Sequence, residues 1–279
     1  MKKISIIISV MGLLLAACSA PAAVTNAAEP NGAVEDSQMK MEDENSAQLT
    51  EPAIENDLLS VNEQGSTAID AEALDSALTA LPAGELIAME ADGLAFMREE
   101  EKLARDVYLT LYEVWNMPIF QNIAGSESTH MDAVLTLLER YRLEDPSAGK
   151  AVGVFENPAL QALYDELVNL GNQSLADALK VGAAVEEIDI LDLEERLAQT
   201  ERSDISMVYE SLLKGSRNHL RSFTSTFERQ TGEVYVPQYM SQGAYSTITA
   251  TGIETGGPGG NTGNGAGRGR SGRGRGTSL

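Results

Sequence analysis

From about residue 84 to residue 231, apolar side chains recur at spacings of three and four, and strand signals are nearly absent. That period belongs to helices buried along one face. Four long segments carry it. The first covers about residues 85–115 and ends at Asn116-Met117-Pro118, where proline forbids continuation. The second covers about 119–141 and stops before Glu144-Asp145-Pro146. A shorter segment, 158–170, ends at Gly171 and reads as part of a long connection. The third spans about 175–198, and the fourth runs to about 230 after a break at 200–206, with Ser203 or Asp204 as its N-cap. Two helix pairs joined by a long crossover make an all-α four-helix bundle. Roughly 150 residues suffice for one core that buries about 70% of its unfolded surface.

Each apolar stripe is interrupted. Leu94, Met97, Ala104, Tyr108, Tyr112 and Trp115 share a face with Glu101 inside it. On the second helix Phe120, Ile123, Val134, Leu137 and Leu138 enclose Glu127 and His130. On the third, Leu175, Leu179, Gly182, Ile190, Leu193 and Leu197 surround Glu186, with Asp189 at the margin. On the fourth, Ile205, Val208, Leu212 and Phe223 enclose His219. A carboxylate buried alone costs several kcal/mol unless it is paired or neutralised. Four helices that accept this at mid-length need a common counter-charge. A divalent metal centre supplies one, and carboxylate oxygens with imidazole nitrogens suit iron or manganese. The chain has two histidines, and both fall on these stripes.

The ends of the chain differ in character. "MKKISIIISVMGLLLAACSA" has two lysines, a short apolar run and small residues, the order of a secretory signal. Leu15-Ala16-Ala17-Cys18 resembles the lipobox of bacterial lipoproteins, which implies cleavage after residue 17 and lipidation of Cys18. As Cys18 is the single cysteine, no intrachain disulfide can form. Residues 18–83, rich in Ala, Glu, Asp, Asn and Ser, read as an acidic disordered tether with a short helix around residues 71–78. The bundle then occupies 84–245. Residues 246–279 form a Gly-rich tail with Arg268, Arg270, Arg273 and Arg275, which reads as disordered. Its arginines offer contacts to anionic polymer or lipid. The formal net charge of −22 argues against a nucleic-acid-binding core. An exported protein, held to the cell membrane through its lipid, is expected.

The order of motifs resembles the ferritin-like superfamily. "EKLARDVY", residues 101–108, is similar to the first-helix motif of rubrerythrins. "ESTH", 127–130, resembles the second-helix ligand pair, "ALKVGAAVEEIDI" the third helix and "KGSRNH", 214–219, the fourth. The wording over residues 90–230 is similar to an uncharacterised ferritin-like family of bacteria and archaea. The resemblance implies a di-iron or di-manganese centre held by Glu101, Glu127, His130, Glu186 and His219, and redox chemistry with dioxygen or peroxide. It also departs from the pattern: Ser216 stands where the fourth helix should supply a second glutamate. Asp189, a turn after Glu186, is the candidate substitute, and Glu100 and Glu187 are near neighbours. Tyr108 and Tyr112 read as core residues or as donors to a ligand. Arg105 and Arg217 read as surface charges or as partners of the ligands. Three readings stay open: a peroxidase- or ferroxidase-like oxidoreductase, a metal-binding module without turnover, and a tethered interaction protein acting through its Arg-Gly tail. Whether a homodimer forms also stays open.

Overall fold

The structure, a computed structural model, describes residues 58–255. The expected signal sequence, Cys18, most of the expected tether and the Arg-Gly tail lie outside the described residues. A hairpin comes first: β1 (Leu59–Val61) pairs antiparallel with β2 (Thr67–Ile69), Leu59 opposite Ile69 and Val61 opposite Thr67. The helices follow as α1 (Ala71–Ala80), α2 (Ala88–Trp115), α3 (Pro118–Tyr141), α4 (Pro158–Gly171), α5 (Leu175–Gln199), α6 (Ser203–Thr231) and α7 (Gln242–Thr249). The described protein is therefore mostly helical, and the four long amphipathic segments are α2, α3, α5 and α6. Among the described residues no helix is long and apolar enough to cross a membrane.

Local signals explain the boundaries. Asn116 turns left-handed at φ 48° and Pro118 opens the next helix, where its missing N–H costs nothing. The side chain of Ser174 accepts from Asp177 N–H and starts α5. Gly232, at φ 73°, closes α6. The expected cap of α6 is corrected: the N-cap is Arg202, with no side-chain cap bond. Asp204 is drawn instead to α3, where Arg140 Nε and Tyr141 Oη donate to it at 2.9 and 2.6 Å. The tether boundary also shifts. Residues 58–81 are ordered because Leu58, Leu59, Ile69, Leu74 and Leu78 are buried in the main core. Within that stretch the expected short helix is present as α1.

The long helices pack in sequence pairs, α2 on α3 and α5 on α6, and α2 also meets α5 while α3 meets α6. Leu94, Met97, Val107, Phe120, Val134, Leu179, Leu193, Leu212 and Phe223 are buried between them. The crossover with α4 covers another side of α2, and this buries charge. Glu99 accepts the N–H groups of Glu156 and Asn157 at the start of α4. Lys102 donates to Asp106 and to the Ala151 carbonyl, and lies over the Phe155 ring. Arg98 forks onto Asp145.

The C-terminal segment is strapped down by one side chain. Glu187 of α5, fully buried, accepts from Tyr235 Oη at 2.6 Å and from the backbone N–H groups of Gln238, Tyr239 and Met240 at 2.7–2.9 Å. Ordered structure then continues past the expected boundary at residue 245. Ion pairs from Glu254 to Arg217 and Arg221 hold the chain to α6 after α7. Glu187→Ala leaves four donors without an acceptor. A loss of about 3 kcal/mol is expected, read as a melting point lower by roughly 6–12 °C and as faster amide exchange confined to residues 235–249.

Candidate metal centre

Glu101, Glu127, His130, Glu186 and His219 come from four helices to one place, each at most 2% exposed. Glu127 and His130 reach it together because a three-residue step keeps both on one face of α3. Glu127 stands in the middle. Its Oε2 is 2.8 Å from His130 Nδ1 and its Oε1 is 2.9 Å from His219 Nδ1. Glu101 Oε2 is 3.4 Å from His130 Nδ1, and Glu186 Oε2 is 3.5 Å from His219 Nδ1. These are ion-pair separations without hydrogen-bond directions. Neither Nδ1 has a hydrogen-bond partner, nor do the Glu101 oxygens or Glu127 Oε1. The ligand atoms fall into two groups of three, Glu101–Glu127–His130 and Glu127–Glu186–His219, within each of which all lie within 4.8 Å of one another, so each group could hold a cation.

The far side of both imidazoles meets one hydroxyl. Thr67 Oγ1 is 3.1 Å from His130 Nε2 and 2.9 Å from His219 Nε2. Its two lone pairs can accept an N–H from each ring, which leaves both Nδ1 lone pairs free for a cation. Thr67 belongs to β2, in the stretch expected to be tether. Two hydroxyls beside the α3 ligands dock that strand: Ser126 Oγ accepts from Thr67 N–H at 2.9 Å, and Thr129 Oγ1 from Ile69 N–H at 3.1 Å. Periodicity could not reveal Thr67, because a three-residue strand has no measurable period. The only signal was Ser126 and Thr129 themselves, polar groups flanking the ligands. Gly215 makes the room, since a Cβ there would lie 2.6 Å from the His130 ring and 3.3 Å from Thr67 Oγ1.

Other expected residues divide. Tyr108 Oη donates to Glu186 Oε1 at 2.5 Å, with the Gly182 carbonyl 3.2 Å away, so it fixes the orientation of the Glu186 carboxylate. Tyr112 is only partly buried. Arg105 pairs with Asp106 and Arg217 with Glu254, and neither pairs with a ligand residue. Asp189 lies outside both groups of three. It accepts from Ser216 Oγ, whose second contact is the Leu212 carbonyl, and its Oδ1 has no partner.

Electrostatics show what the cluster costs without a cation. Burial pushes Glu101 up to about 7 against the pull of His130. Burial and then the Glu127 charge push Glu186 up to about 7. For Glu127, burial is outweighed by His219 and His130, and its carboxyl sits below the ordinary value. Burial also opposes charge on the imidazoles, yet Glu127 and Glu186 raise His219 to about 9, and Glu127 and Glu101 hold His130 well above its usual value. Two charged rings then lie stacked with centroids 5.4 Å apart. Divalent cations with neutral imidazoles would remove that repulsion. The donor set, oxygen-rich with one nitrogen per position, fits iron or manganese.

A protein family described as "Uncharacterized protein domain (DUF2202)" matches residues 90–252. Uncharacterized protein MJ0754 of Methanocaldococcus jannaschii is 50% identical over 179 residues, covering 64% of this chain and 96% of the relative. The crystal structure of hypothetical protein MJ0754 from Methanococcus jannaschii superposes with a TM-score of 0.61 at 51% identity, covering 62% of this chain and 99% of that one.

Two outcomes follow from the geometry. Glu101, Glu186 and His219 have folded values above their unfolded ones, so the native metal-free state binds the extra protons and loses stability as pH rises from about 5 to about 9. The melting-point gap between Mn(II)-loaded and chelator-treated protein is therefore expected to widen over that range; a constant gap contradicts the assignment. Thr67→Val keeps the shape and removes the shared acceptor. Metal affinity is expected to fall about 10- to 100-fold, and Thr67→Ser to restore most of it, in a competition titration.

Proposed function

The chain belongs to the DUF2202 domain family, and on that premise we propose that it is an exported, lipid-anchored ferritin-like protein with a di-metal carboxylate–histidine centre of iron or manganese. The observation that carries the reading is Glu127, one oxygen toward each histidine, with a terminal carboxylate beyond each ring. Glu127 would be shared by both ions, Glu101 and His130 would complete one position, and Glu186 and His219 the other. Two ferrous ions so held supply one electron each, the stoichiometry that peroxide reduction to water requires. The chain's own residues do the rest. Thr67 fixes the ring tautomers, Tyr108 holds Glu186 through a hydrogen bond at 2.5 Å, and the fully buried Phe223 packs at a tilt against the Tyr108 and Phe120 rings.

A peroxidase- or ferroxidase-like activity is the oxidoreductase reading. The second reading, binding without turnover, is favoured by Ser216, which brings a hydroxyl where a further carboxylate would sit. With neutral imidazoles, three carboxylates oppose two divalent ions and leave one positive charge; Asp189, 4% exposed, is the carboxylate at hand to balance it. The lipobox-like run ending at Cys18 supports placement on the exported side of the cell membrane. The Arg-Gly tail supports contact with anionic polymer or lipid.

Elemental analysis of the full chain tests the centre. About two ions per chain are expected, with one retained in Glu101→Gln and in Glu186→Gln, and neither tightly held in Glu127→Gln. A wild-type protein without metal after refolding with Fe(II) or Mn(II) rejects the proposal. Oxidation of the ferrous form by added peroxide separates the oxidoreductase from the binding module.

A further inference from the structure

Beside the centre, and outside both groups of three, lies a second set of buried carboxylates. Glu100, next to the ligand Glu101 on α2, is 3% exposed, and neither of its oxygens has a hydrogen-bond partner. Among the described residues it makes no ion pair. Asp189 and Asp192 face it from α5, and the Asp192 carboxylate lies within hydrogen-bonding reach. Asp192 is half-buried, so this set opens toward solvent at one end. At the other end Asp189 feels the charges of Glu101 and Glu186 directly. Along α5 the carboxylates Glu186, Asp189 and Asp192 step by three residues, which spaces them about 4.5 Å apart along the helix axis. The row runs from a proposed ligand to the surface.

A buried glutamate whose close side-chain neighbour is another carboxylate gains nothing from that approach unless a proton or a cation lies between the two. The alternative approach also fails for a cation. A groove of about 470 Å³ beside the hairpin ends at Thr67, and Thr67 touches the Nε2 side of both histidines. The imidazole rings therefore stand between that groove and the Nδ1 atoms.

We propose that Glu100, Asp189 and Asp192 form a transit site for divalent cations between α2 and α5, which takes the ion at Asp192 and passes it to the centre past Asp189. The proposal rests on the metal-centre reading and adds a route to it. Asp192 attracts the ion while it is still partly hydrated, Glu100 replaces lost water with carboxylate oxygens, and Asp189 hands it to Glu101 or Glu186. A surface carboxylate at the mouth also raises the local cation concentration, an effect worth a factor of 10 or more in association rate. Ser216 keeps one oxygen of Asp189 occupied and the other free.

The test is the rate of loading, separated from capacity. The full chain, stripped by chelator, is mixed with Co(II), and the visible absorption of the bound ion is followed by stopped flow. Glu100→Gln and Asp192→Asn are each expected to load about 10-fold more slowly than wild type, with an unchanged endpoint of two ions per chain. The wild-type rate should fall with added salt more steeply than that of Asp192→Asn, because the variant lacks the charge at the mouth. Wild-type loading rates in both variants overturn the transit site and leave the centre standing. Loss of an ion at the endpoint in Glu100→Gln also overturns it, since Glu100 would then be a ligand. Asp192→Asn, at the half-buried mouth, keeps the test valid if Glu100→Gln folds poorly. No Co(II) uptake by wild type removes the centre itself.

Discussion

Everything around the site depends on one carboxylate held between two imidazoles. Glu127 offers an oxygen to each Nδ1 at 2.8–2.9 Å, and each ring is pinned behind by the same Thr67 hydroxyl. That chain of contacts links β2, α3 and α6 through a single buried line. Glu101 and Glu186 then close it from α2 and α5. With protons alone the arrangement sets stacked cations against carboxyls that burial pushes toward neutrality. The five side chains are each nearly or fully excluded from solvent, so water cannot relieve the conflict. A fold that keeps such a cluster in its core has given up stability that apolar residues of the same volume would provide. The cost makes physical sense when cations are part of the native state.

The same tension explains α2. Residues Arg98, Glu99, Glu100, Glu101 and Lys102 are five consecutive charges, and all are at most 7% exposed. A helix buried on one face cannot do this. α2 is buried nearly all round at this level because α3, α5 and the crossover enclose it. Four of the five charges have a solution of their own. Arg98 takes Asp145, Glu99 takes the N-terminus of α4, and Lys102 takes Asp106 with a backbone carbonyl. Glu101 joins the centre. Glu100 alone meets no donor, only the carboxylate of Asp192 within hydrogen-bonding reach.

These contrasts show what periodicity can and cannot reveal. The helices and the five inward groups were legible because a stripe 25 residues long repeats its signal many times, and a charge within it is conspicuous. The spans of α3, α4, α5 and α6 differ from the expected ones by a residue or so at each end for the same reason. Thr67 was illegible, since its three-residue strand lies in a polar, acidic stretch that composition assigns to disorder. Two apolar pairs, Leu58-Leu59 and Leu74 with Leu78, were too sparse to signal that this stretch docks. Glu187 was visible only as a neighbour of Glu186. Its role came from a segment 50 residues later whose backbone N–H groups converge on it, a pairing no local pattern encodes.

Ser216 is where sequence and structure press on the same point. Its position on α6, three residues before His219, repeats the spacing from Glu127 to His130 on α3, so a glutamate there would have made the site symmetric. The hydroxyl instead donates to Asp189 across the helix interface. The negative charge at this level therefore lies on α5, one turn along from Glu186, and not on α6. A carboxylate held by a hydrogen bond at one oxygen and free at the other is less committed to a fixed ligand position than a side chain in a matched pair. It can sit beside an ion or let one pass. The asymmetry therefore links two proposed properties: the charge balance of the proposed centre, which has three carboxylates for two ions, and the proposed transit row from Asp192 inward, which calls for a carboxylate able to exchange a cation. The hydroxyl of Ser216 on α6 puts Asp189 in both.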